Sequence, residues 1–342
     1  MNSLPRRSSK SEGGRLRELI AAGKGKRVVV FGDLIADEYV YGRIARVSRE
    51  APVLILEYNA TEILPGGAGN AANNVAALGG TVRLVSLVGR DEPVDRLVKA
   101  LPRNVERNRM IAPAAYRTPV KTRILAGGIH SAKQQVVRVD RYTGDPVSDR
   151  HRAQAERAAL QAIKDVDAIL VSDYGSGLVT PRFVAELAAR ARKQNPDVPI
   201  LIDSRYALTK YAGLTACTPN ESEVEQVLGV RIDDRRAVLE RAGRKLLEMT
   251  RMRCVLITRG SRGMALFEPD KKTVHIPIFG SDQIADVTGA GDTVMATMTL
   301  ALAAGGSFEQ AARLANYAGG LVVMKRGTAT VSAAELRRAV NG

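Results

Sequence analysis

The stretch Asp286-Val-Thr-Gly-Ala-Gly-Asp292 places three small residues, Gly289, Ala290 and Gly291, at the predicted start of a long helix over residues 289–304. Because no bulky side chain covers this helix start, an anion can approach the N–H groups at its positive end. Asp292 falls in the first turn, where a carboxylate disfavours simple phosphate binding. The stretch therefore predicts a base that takes a proton from a hydroxyl attacking a bound phosphoryl group. The alternative is an acid that only stabilises the first turn.

Outside this helix, short apolar runs alternate with helical segments. Residues 27–32, 168–171 and 199–203 have the composition of buried parallel strands. Residues 150–164 and 181–194 have the composition of helices. The alternation predicts an α/β fold with a doubly wound, mostly parallel sheet that is flanked by helices.

Two β-rich stretches, at about 39–64 and 114–141, interrupt this alternation. They predict a small β lid that returns to one edge of the sheet. We therefore expect one domain over residues 27–342, although 342 residues would also allow two serial domains. Residues 1–26 are predicted to be a basic, poorly ordered N-terminal extension.

The basic excess raises the question of nucleic-acid binding. The formal net charge is +15, and residues 1–27 contribute eight basic and two acidic residues to it. Aromatic residues make up 4% of the chain, tryptophan is absent, and the sequence has no helix-turn-helix or zinc-finger motif. We therefore expect no nucleic-acid partner. The charge instead favours a field that attracts nucleotides and sugar phosphates.

Composition also argues against several other classes. Two cysteines and three histidines at unrelated spacings cannot form a disulfide framework, a four-cysteine zinc site or a histidine-rich metal site. No apolar run approaches the about 18 residues of a membrane span, and the N-terminus lacks the apolar region of a secretory signal. These features predict a cytoplasmic protein with no membrane partner.

Polar residues follow one predicted strand after another. Ligands of open parallel sheets bind outside the carboxyl ends of the strands, so these residues should share one edge. A single one could merely cap a helix, but the repetition predicts a binding site. The residues are Asp33, Asp37, Ser172, Asp173, Asp203, Arg205, the run 218–223 and the run 258–263.

The glycines of residues 65–70 allow two interpretations. Residues 67–72 match the G-x-G-x-x-A pattern of dinucleotide-binding oxidoreductases, which is a remote alternative. The match lacks its context, because residues 59–65 separate it from the nearest predicted strand and no acid-terminated strand follows. We instead predict a tight turn in which Gly66, Gly67 and Asn70 contact a polyol.

Asn220 and Glu223 lie three residues apart at a predicted helix start, so they share a face. An amide and a carboxylate there could hold Mg²⁺ through water, near nucleotide phosphates. The alternative is an N-terminal helix cap with its partner glutamate.

Four motifs in this order resemble the PfkB, or ribokinase-like, carbohydrate kinases, and the resemblance covers about residues 27–340. They are Gly-Gly-x-Gly-Asn (66–70), Thr-Pro-Asn-Glu-x-Glu (218–223), Thr-Arg-Gly-x-x-Gly (258–263) and Asp-x-Thr-Gly-Ala-Gly-Asp (286–292). Within the family, residues 32–42, 46–53, 134–140, 172–174 and 327–332 are similar to the kinases of D-glycero-β-D-manno-heptose 7-phosphate, which serve lipopolysaccharide-heptose precursor synthesis.

The resemblance implies a ribokinase-like fold and transfer of the ATP γ-phosphoryl group to a sugar hydroxyl. On the heptose reading, the acceptor is the anomeric oxygen and the product is a 1,7-bisphosphate. Kinases of ribose, a ketose, a nucleoside or another sugar phosphate are the alternatives within the family. ATP, Mg²⁺ and K⁺ are the implied cofactors, and a homodimer formed through the lid is the implied assembly.

The resemblance also implies roles for matching residues. Asp292 would be the base, and Gly289, Ala290 and Gly291 would form the anion hole. Asn220 and Glu223 would organise Mg²⁺ and phosphates, with Glu223 acting through water. The ATP site would be lined by Thr258, Gly260, Gly263 and Asn316. K⁺ would be held by Asp286 and Thr288. The sugar would be held by Asp33, Asp37, Gly66, Gly67, Asn70 and Gln135.

Cations of the predicted lid complete the expected site. Lys121, Arg123 and Arg138 are candidates for the 7-phosphate, because the planar arginine fork binds phosphate bidentately. The alternative is a charged, exposed strand face. The chain departs from the heptose kinases at Asp203-Ser204-Arg205, where they carry Asp-Pro-Lys, and in having Gly-Gly-Ala-Gly-Asn for Gly-Gly-Ala-Ala-Asn. Arg205 keeps a cation there, for contact with the nucleotide or a phosphate.

Overall fold

The computed structural model describes residues 12–127, 133–142, 147–233, 235–280 and 286–341. The strands in this part of the chain are β1 (Arg27–Gly32), β2 (Leu34–Val47), β3 (Leu54–Gly67), β4 (Thr81–Leu87), β5 (Val105–Glu106), β6 (Met110–Ile111), β7 (Val120–Gly127), β8 (Gln134–Arg141), β9 (Ala168–Asp173), β10 (Ile200–Ser204), β11 (Ala216–Cys217), β12 (Cys254–Thr258), β13 (Met264–Phe267) and β14 (Val274–Ile276). The helices are α1 (Glu12–Ala22), α2 (Ala68–Ala77), α3 (Glu92–Ala100), α4 (Asp149–Ala162), α5 (Pro181–Gln194), α6 (Glu221–Leu228), α7 (Arg236–Thr250), α8 (Ala290–Ala303), α9 (Phe308–Val322) and α10 (Ala333–Asn341).

The central sheet has the strand order β14-β13-β12-β11-β10-β9-β1-β4-β5, and β6 also pairs with β4. The pairs from β5 to β12 are parallel, and β13 and β14 add antiparallel strands at one edge. The doubly wound, mostly parallel sheet expected from the alternation is therefore confirmed.

Alternate side chains of β1 enter two different hydrophobic cores. Val28 and Val30 join the core formed with α1, α2, α8, α9 and α10. Val29 and Phe31 join the core formed with α4, α5 and α7. Burial on both faces explains why the strand sequences are continuous apolar runs rather than alternating ones.

A second sheet has the order β3-β2-β7-β8. It is built from the two stretches in which a lid was expected, although its strands begin earlier, at Leu34, and end later, at Gly67 on β3. Asp37 therefore lies on a strand of this sheet and not in a loop after β1. The outer parts of β2 and β3, and nearly all of β8, are exposed.

The expectation that residues 59–65 separate the glycines from the nearest strand is wrong, because β3 continues through these residues to Gly67. Nearly all of these residues pair with β2 in antiparallel register, apart from a bulge near Gly42. Pro65 is tolerated since β3 is an edge strand, where a missing N–H costs no ladder bond. The glycines still lie outside a parallel βαβ unit, because β3 and β4 belong to different sheets.

Helix α1 lies within the segment expected to be a poorly ordered extension. Its side chains Leu16, Leu19 and Ile20 are buried in the core, and Arg17 donates a hydrogen bond to Asn341 Oδ1 of α10 at 2.9 Å. The folded body therefore includes this helix. The rest of the expected extension, residues 1–11, lies outside the described residues.

Within the described ranges, the helices lack the combination of length and mean hydropathy that a membrane span requires.

Candidate active site

A cavity of about 560 Å³ opens where β9, β10, β11 and β12 end. Its walls come from the segments that follow these strands, from the start of α8 and from the inner face of the second sheet. The cavity therefore lies at the carboxyl edge of the parallel strands, as the sequence predicts. Its volume falls within the about 300–1,000 Å³ of small-molecule sites.

The structure brings most of the predicted site residues to this cavity. Those that line it are Asp37, Gly67, Lys121, Arg123, Arg138, Arg205, Asn220, Glu223, Thr258, Gly260, Gly263, Thr288, Gly289, Ala290, Gly291, Asp292 and Asn316. Five others do not belong to the lining, and these are Asp33, Gly66, Asn70, Gln135 and Asp286.

Asp292 lies in the first turn of α8, at the floor of the cavity, with 4% of its surface exposed. Its Oδ2 accepts a hydrogen bond from Asn70 Nδ2 at 2.8 Å, and its Oδ1 accepts a longer one from the Tyr174 hydroxyl at 3.4 Å. Burial raises the pKa of Asp292 to about 7, against the opposing effect of the Asn70 hydrogen bond. The group can therefore accept a proton near neutral pH.

Asn70 lies behind Asp292 rather than beside a substrate. Its side chain is buried, and its Nδ2 also points towards the Gly289 carbonyl oxygen at 3.4 Å. The amide nitrogen of Asn70 thus contacts the start of α8, and its predicted contact with a polyol stays a prediction.

The start of α8 depends on Gly289, which has a φ of +77°. A Cβ built on this residue would lie 2.4 Å from Asn70 Nδ2, whereas one built on Gly291 would meet nothing within 4 Å. The residues at this helix start are at least partly exposed to the cavity. The N–H of Ala290 donates to the Val287 carbonyl oxygen at 3.2 Å, so Gly289 and Gly291 are the glycines whose N–H groups are left for an anion at this helix start, beside Asp292.

The inner face of the second sheet supplies cations. Strand register sets Asp37, Lys121 and Asp140 in one row, and the next row of the same face is Tyr39, Arg123 and Arg138. Of the cations, Arg123 forms an ion pair with Asp37 at 2.5 Å and Arg138 forms one with Asp140 at 2.9 Å.

Lys121 differs from these two arginines. It is 9% exposed, its Nζ lies 4.9 Å from the centre of the Tyr174 ring, and it has no ion pair in the described part of the chain. Burial lowers its pKa, and the nearby Asp37 carboxylate opposes this effect. Lys121 therefore presents a cation to the cavity that no carboxylate within these ranges neutralises by direct contact.

Two carboxylates face the other half of the cavity. Glu223 and Asn220 form the capping box of α6, with hydrogen bonds of 2.9 and 3.0 Å, as in the alternative reading of the sequence. Asp203, at the end of β10, has no hydrogen-bond partner for its side chain among the described residues. Burial raises its pKa well above the usual value, and the carboxylates of Asp292 and Glu223 raise it further, whereas Arg205 opposes them.

The end of the cavity nearest α9 is lined by glycines and apolar side chains, together with Asn316. Gly260 begins a short 3₁₀ turn that Gly263 ends, and Asn316 donates a hydrogen bond to the Pro277 carbonyl oxygen at 2.9 Å. A Cβ on Gly320 would lie 2.1 Å from the Phe279 carbonyl oxygen, so the chains approach too closely for a larger residue.

The predicted residues outside the cavity have structural contacts. Asp33 accepts hydrogen bonds from the N–H groups of Tyr174 and Ser176, and burial raises its pKa to about 6. Asp286 accepts hydrogen bonds from the N–H groups of Thr288 and Gly327, at 2.9 and 3.0 Å, and so joins two turns.

Two further predicted residues also lie outside the cavity. Gly66 leaves room for Asp37, since a Cβ there would lie 2.2 Å from Asp37 Oδ2. Gln135 is exposed beyond a bulge in β8, where it pairs with Leu125.

Sequence reasoning assigned no role to Tyr174 or Asp203, although both line the cavity. Asp203 carried a usable signal, because it is an acid at the end of a predicted strand. Tyr174 carried a weaker one, since it comes directly after an apolar strand that ends in Ser172-Asp173.

Comparison with known sequences gives a consistent family. The family model described as pfkB family carbohydrate kinase matches residues 26–335. Bifunctional protein HldE of Geobacter metallireducens is 41% identical over 323 residues, which are 94% of this chain and 64% of that protein. Bifunctional protein HldE of Escherichia fergusonii is 38% identical over 320 residues, 92% of this chain and 63% of that protein. The chain thus spans somewhat less than two thirds of the length of these relatives.

Comparison with solved structures agrees on the fold. Arabidopsis thaliana ribokinase complexed with ribose and ATP superposes with a TM-score of 0.71 at 20% identity, covering 93% of this chain and 99% of that one. Phosphofructokinase-2 from Escherichia coli in complex with potassium gives 0.73 at 17% identity, covering 93% and 98%. The ribokinase-like fold predicted from the sequence is confirmed.

The two glycines at the start of α8 provide a test of this geometry. Gly289→Ala should destabilise the protein by about 1–3 kcal/mol, because the new Cβ meets Asn70 and the backbone conformation disfavours it. Gly291→Ala is the matched control, and it should be neutral or stabilising by up to about 1 kcal/mol, since it lies in a helix with open space around it. Urea unfolding of both variants measures the difference. Equal stabilities would contradict the described packing of Asn70 against Gly289.

Proposed function

Because this chain belongs to the pfkB family of carbohydrate kinases, we propose that it transfers the γ-phosphoryl group of ATP to a sugar hydroxyl, with Asp292 as the base. The observation that carries this proposal is the position of Asp292, a buried carboxylate beside the uncovered start of α8. A hydroxyl placed between the two would lose its proton to Asp292 while its oxygen attacks phosphorus.

The start of α8 supports the second half of the reaction. As the γ-phosphoryl group moves in line from ADP to the acceptor oxygen, its equatorial oxygens carry negative charge. Of the three residues Gly289, Ala290 and Gly291, the two glycines would donate N–H hydrogen bonds to these oxygens, because the N–H of Ala290 already bonds to the Val287 carbonyl oxygen. The helix dipole would add to the stabilisation. These groups are fixed before the reaction, so little reorganisation is needed at the transition state.

The nucleotide would lie along the half of the cavity formed by the segments after β11 and β12. Its base would lie beside Gly260, Gly263 and Asn316, and its phosphates would then run past Thr258 and Asn220 to α8. Arg205 would contact the phosphates from the end of β10. When bound, Mg²⁺ would neutralise phosphate charge, and the oxygens of Asp203 and Glu223 are of the kind that it prefers.

A monovalent cation is proposed near Asp286 and Thr288. Asp286 already holds the turn before α8 against the turn at Gly327. K⁺ bound to oxygens of these two turns would fix them in the same position, and so support the anion hole from outside the cavity.

The proposed acceptor is D-glycero-β-D-manno-heptose 7-phosphate, phosphorylated at its anomeric oxygen. Support comes from the sequence likeness to kinases of this sugar and from relatives named bifunctional protein HldE that align over 92–94% of the chain. The inner face of the second sheet adds a physical reason, because its cations suit a phosphorylated acceptor. In the described ranges, Lys121 is the buried one without an ion pair, so we assign it to the 7-phosphate.

The first prediction concerns the base. In the presence of Mg²⁺ and K⁺, the wild-type protein should convert heptose 7-phosphate and ATP to a bisphosphate, which mass spectrometry detects. Asp292→Asn should lower kcat by about 10² or more, because the amide cannot take the proton, and should leave ATP binding nearly unchanged. Near-wild-type turnover of this variant would exclude Asp292 as the base. Failure of the heptose alone, with turnover of ribose or fructose 6-phosphate, would correct only the acceptor.

The base also predicts the pH dependence. Asp292 acts in its ionised form, and its pKa is raised to about 7. The wild-type kcat should therefore rise as the pH increases through about 7 and level off above it. A kcat that falls over this range would contradict the assignment.

The second prediction concerns acceptor recognition. Lys121→Met should raise the KM for heptose 7-phosphate by about 10-fold or more, because a charge-assisted contact with phosphate is lost. The KM for ATP and for unphosphorylated heptose should change little. Arg138→Met is the control, since Arg138 is already paired with Asp140. Assays well above neutral pH keep Asp292 ionised. An equal rise in KM for both sugars would reject a role in phosphate recognition.

We also propose that the protein is a homodimer that pairs through the second sheet. Large apolar side chains are exposed on its outer parts, among them Val47, Tyr58, Val137 and Val139. Val137 and Val139 alternate with Arg138 and so face away from the cavity. Several large apolar side chains exposed on one sheet are typical of an interaction site.

The last prediction of this subsection tests this assembly. The double substitution Val137→Lys and Val139→Lys should convert the dimer to a monomer in sedimentation analysis, because the two lysines would place charge in the buried interface. Met249→Lys is the matched control, since Met249 is also exposed but lies on α7. A dimer that persists with both lysines, or a wild-type monomer, would reject this interface.

A further inference from the structure

Behind Asp292, a chain of buried polar side chains connects α2 to α8. Asn74 donates from Nδ2 to the backbone oxygen of Asn70 and to Asn70 Oδ1, both at 3.0 Å. Thr293 donates from its hydroxyl to Asn74 Oδ1 at 3.0 Å, and the same hydroxyl lies 3.1 Å from a second acceptor, the Gly289 carbonyl oxygen. Asn70, Asn74 and Thr293 each have 0% of their surface exposed. The cavity lining includes none of these three residues, so this row of hydrogen-bonded side chains does not touch a ligand directly.

The orientation of the side-chain amides in this row of hydrogen bonds is set by one backbone group. The carbonyl oxygen of Asn70 can only accept hydrogen bonds, so the side chain of Asn74 must turn its NH₂ group towards it. The second N–H of the same NH₂ group then requires an acceptor, which is Asn70 Oδ1. With its oxygen held there, the Asn70 amide has to present Nδ2 to Asp292.

The opposite orientation of Asn70 would place its amide oxygen against the Asp292 carboxylate. Two acceptors would then face each other in a buried site, which is costly for an ionised group. Thr293 completes the arrangement, because its hydroxyl satisfies the Asn74 oxygen that would otherwise be buried without a partner.

We propose that Asn74 and Thr293 are positioning residues for the phosphoryl transfer: they fix the side-chain amide of Asn70 so that it donates to Asp292. This inference rests on the proposed function, in which Asp292 is the base. Neither residue contacts substrate or nucleotide. Their effect passes through Asn70, whose hydrogen bond favours the ionised, proton-accepting form of Asp292.

Other charged groups also shift the pKa of Asp292, and their contacts must stay unchanged in a test. Asp37 on β2 raises its pKa and Lys121 on β7 lowers it. Tyr174, after β9, donates a hydrogen bond to it, and Asp203 at the end of β10 faces it across the cavity. In the described part of the chain, none of these groups forms a hydrogen bond with Asn74 or Thr293, so substitutions there leave these contacts in place.

The test is the pH dependence of kcat in Asn74→Leu, which removes both donors without adding charge. Asn70 is then released, and the rise of kcat should move about one pH unit towards alkaline pH. In mildly acidic buffer kcat should be about 10-fold below wild type, and well above neutral pH it should approach wild type. The KM for ATP should be unchanged.

A second set of variants covers the case in which Asn74→Leu does not fold. Thr293→Val should shift the profile in the same direction by a smaller amount, and Thr293→Ser should restore it. Thr297→Val is the matched control, because Thr297 donates one turn further along α8, to the Thr293 carbonyl oxygen, and should leave the profile unchanged.

Two results would overturn the inference. One is a pH profile of the folded Asn74 or Thr293 variants that coincides with wild type. The other is a loss of kcat that is equal at every pH, as a purely structural defect would produce. These outcomes are separate from failure of the proposed function, which Asp292→Asn reports. If Asp292→Asn is inactive and Asn74→Leu has the pH profile of the wild type, the positioning role alone is rejected and the proposed function is retained.

Discussion

The contact on which the site depends is the close approach of Asn70 to the start of α8. It joins residues 222 positions apart in the sequence, through a hydrogen bond of 2.8 Å to Asp292. Space for it exists only because residue 289 has no Cβ, which would lie 2.4 Å from the amide nitrogen. One missing methyl group therefore allows α2 to support both the carboxylate and the turn that exposes the helix N–H groups.

Electrostatics divides the cavity into two halves around this contact. On the side of the second sheet, Lys121 and Arg123 face Asp37. On the side of β10 and β11, Asp203 and Glu223 lie close enough for the pKa of Asp203 to be raised by its neighbours. Asp292 lies between these halves, and burial is the main reason that its pKa is near neutral. The raised pKa of Asp203 reflects its burial together with the repulsion between these acids, and Arg205 opposes both effects.

The sequence predicted the parts of the fold that local chemistry determines. Three of these patterns are short-range: the apolar strand runs, the small residues before Asp292, and the capping pair Asn220 and Glu223. The last two lie at the expected edge of the sheet. Side-chain direction was not predictable in the same way. Asn70 and Asp33 occur at the expected places, yet they bind protein groups rather than line the cavity. Their partners are distant in sequence, so no local spacing shows which way the polar group turns.

The second sheet was anticipated as a lid, but its connection to the site was not. The sequence suggested a loop before the glycines, because Pro65 and the glycines are typical turn residues. Pairing with β2 extends the strand instead, and β3 passes into α2 without an intervening loop, since Gly67 ends one element and Ala68 begins the next. Asn70 follows within the first turn of that helix. The inner face of the acceptor side and the amide that donates to Asp292 therefore belong to one continuous stretch of backbone. Any displacement of the sheet at its junction with α2 would also displace Asn70, and with it the hydrogen bond to Asp292.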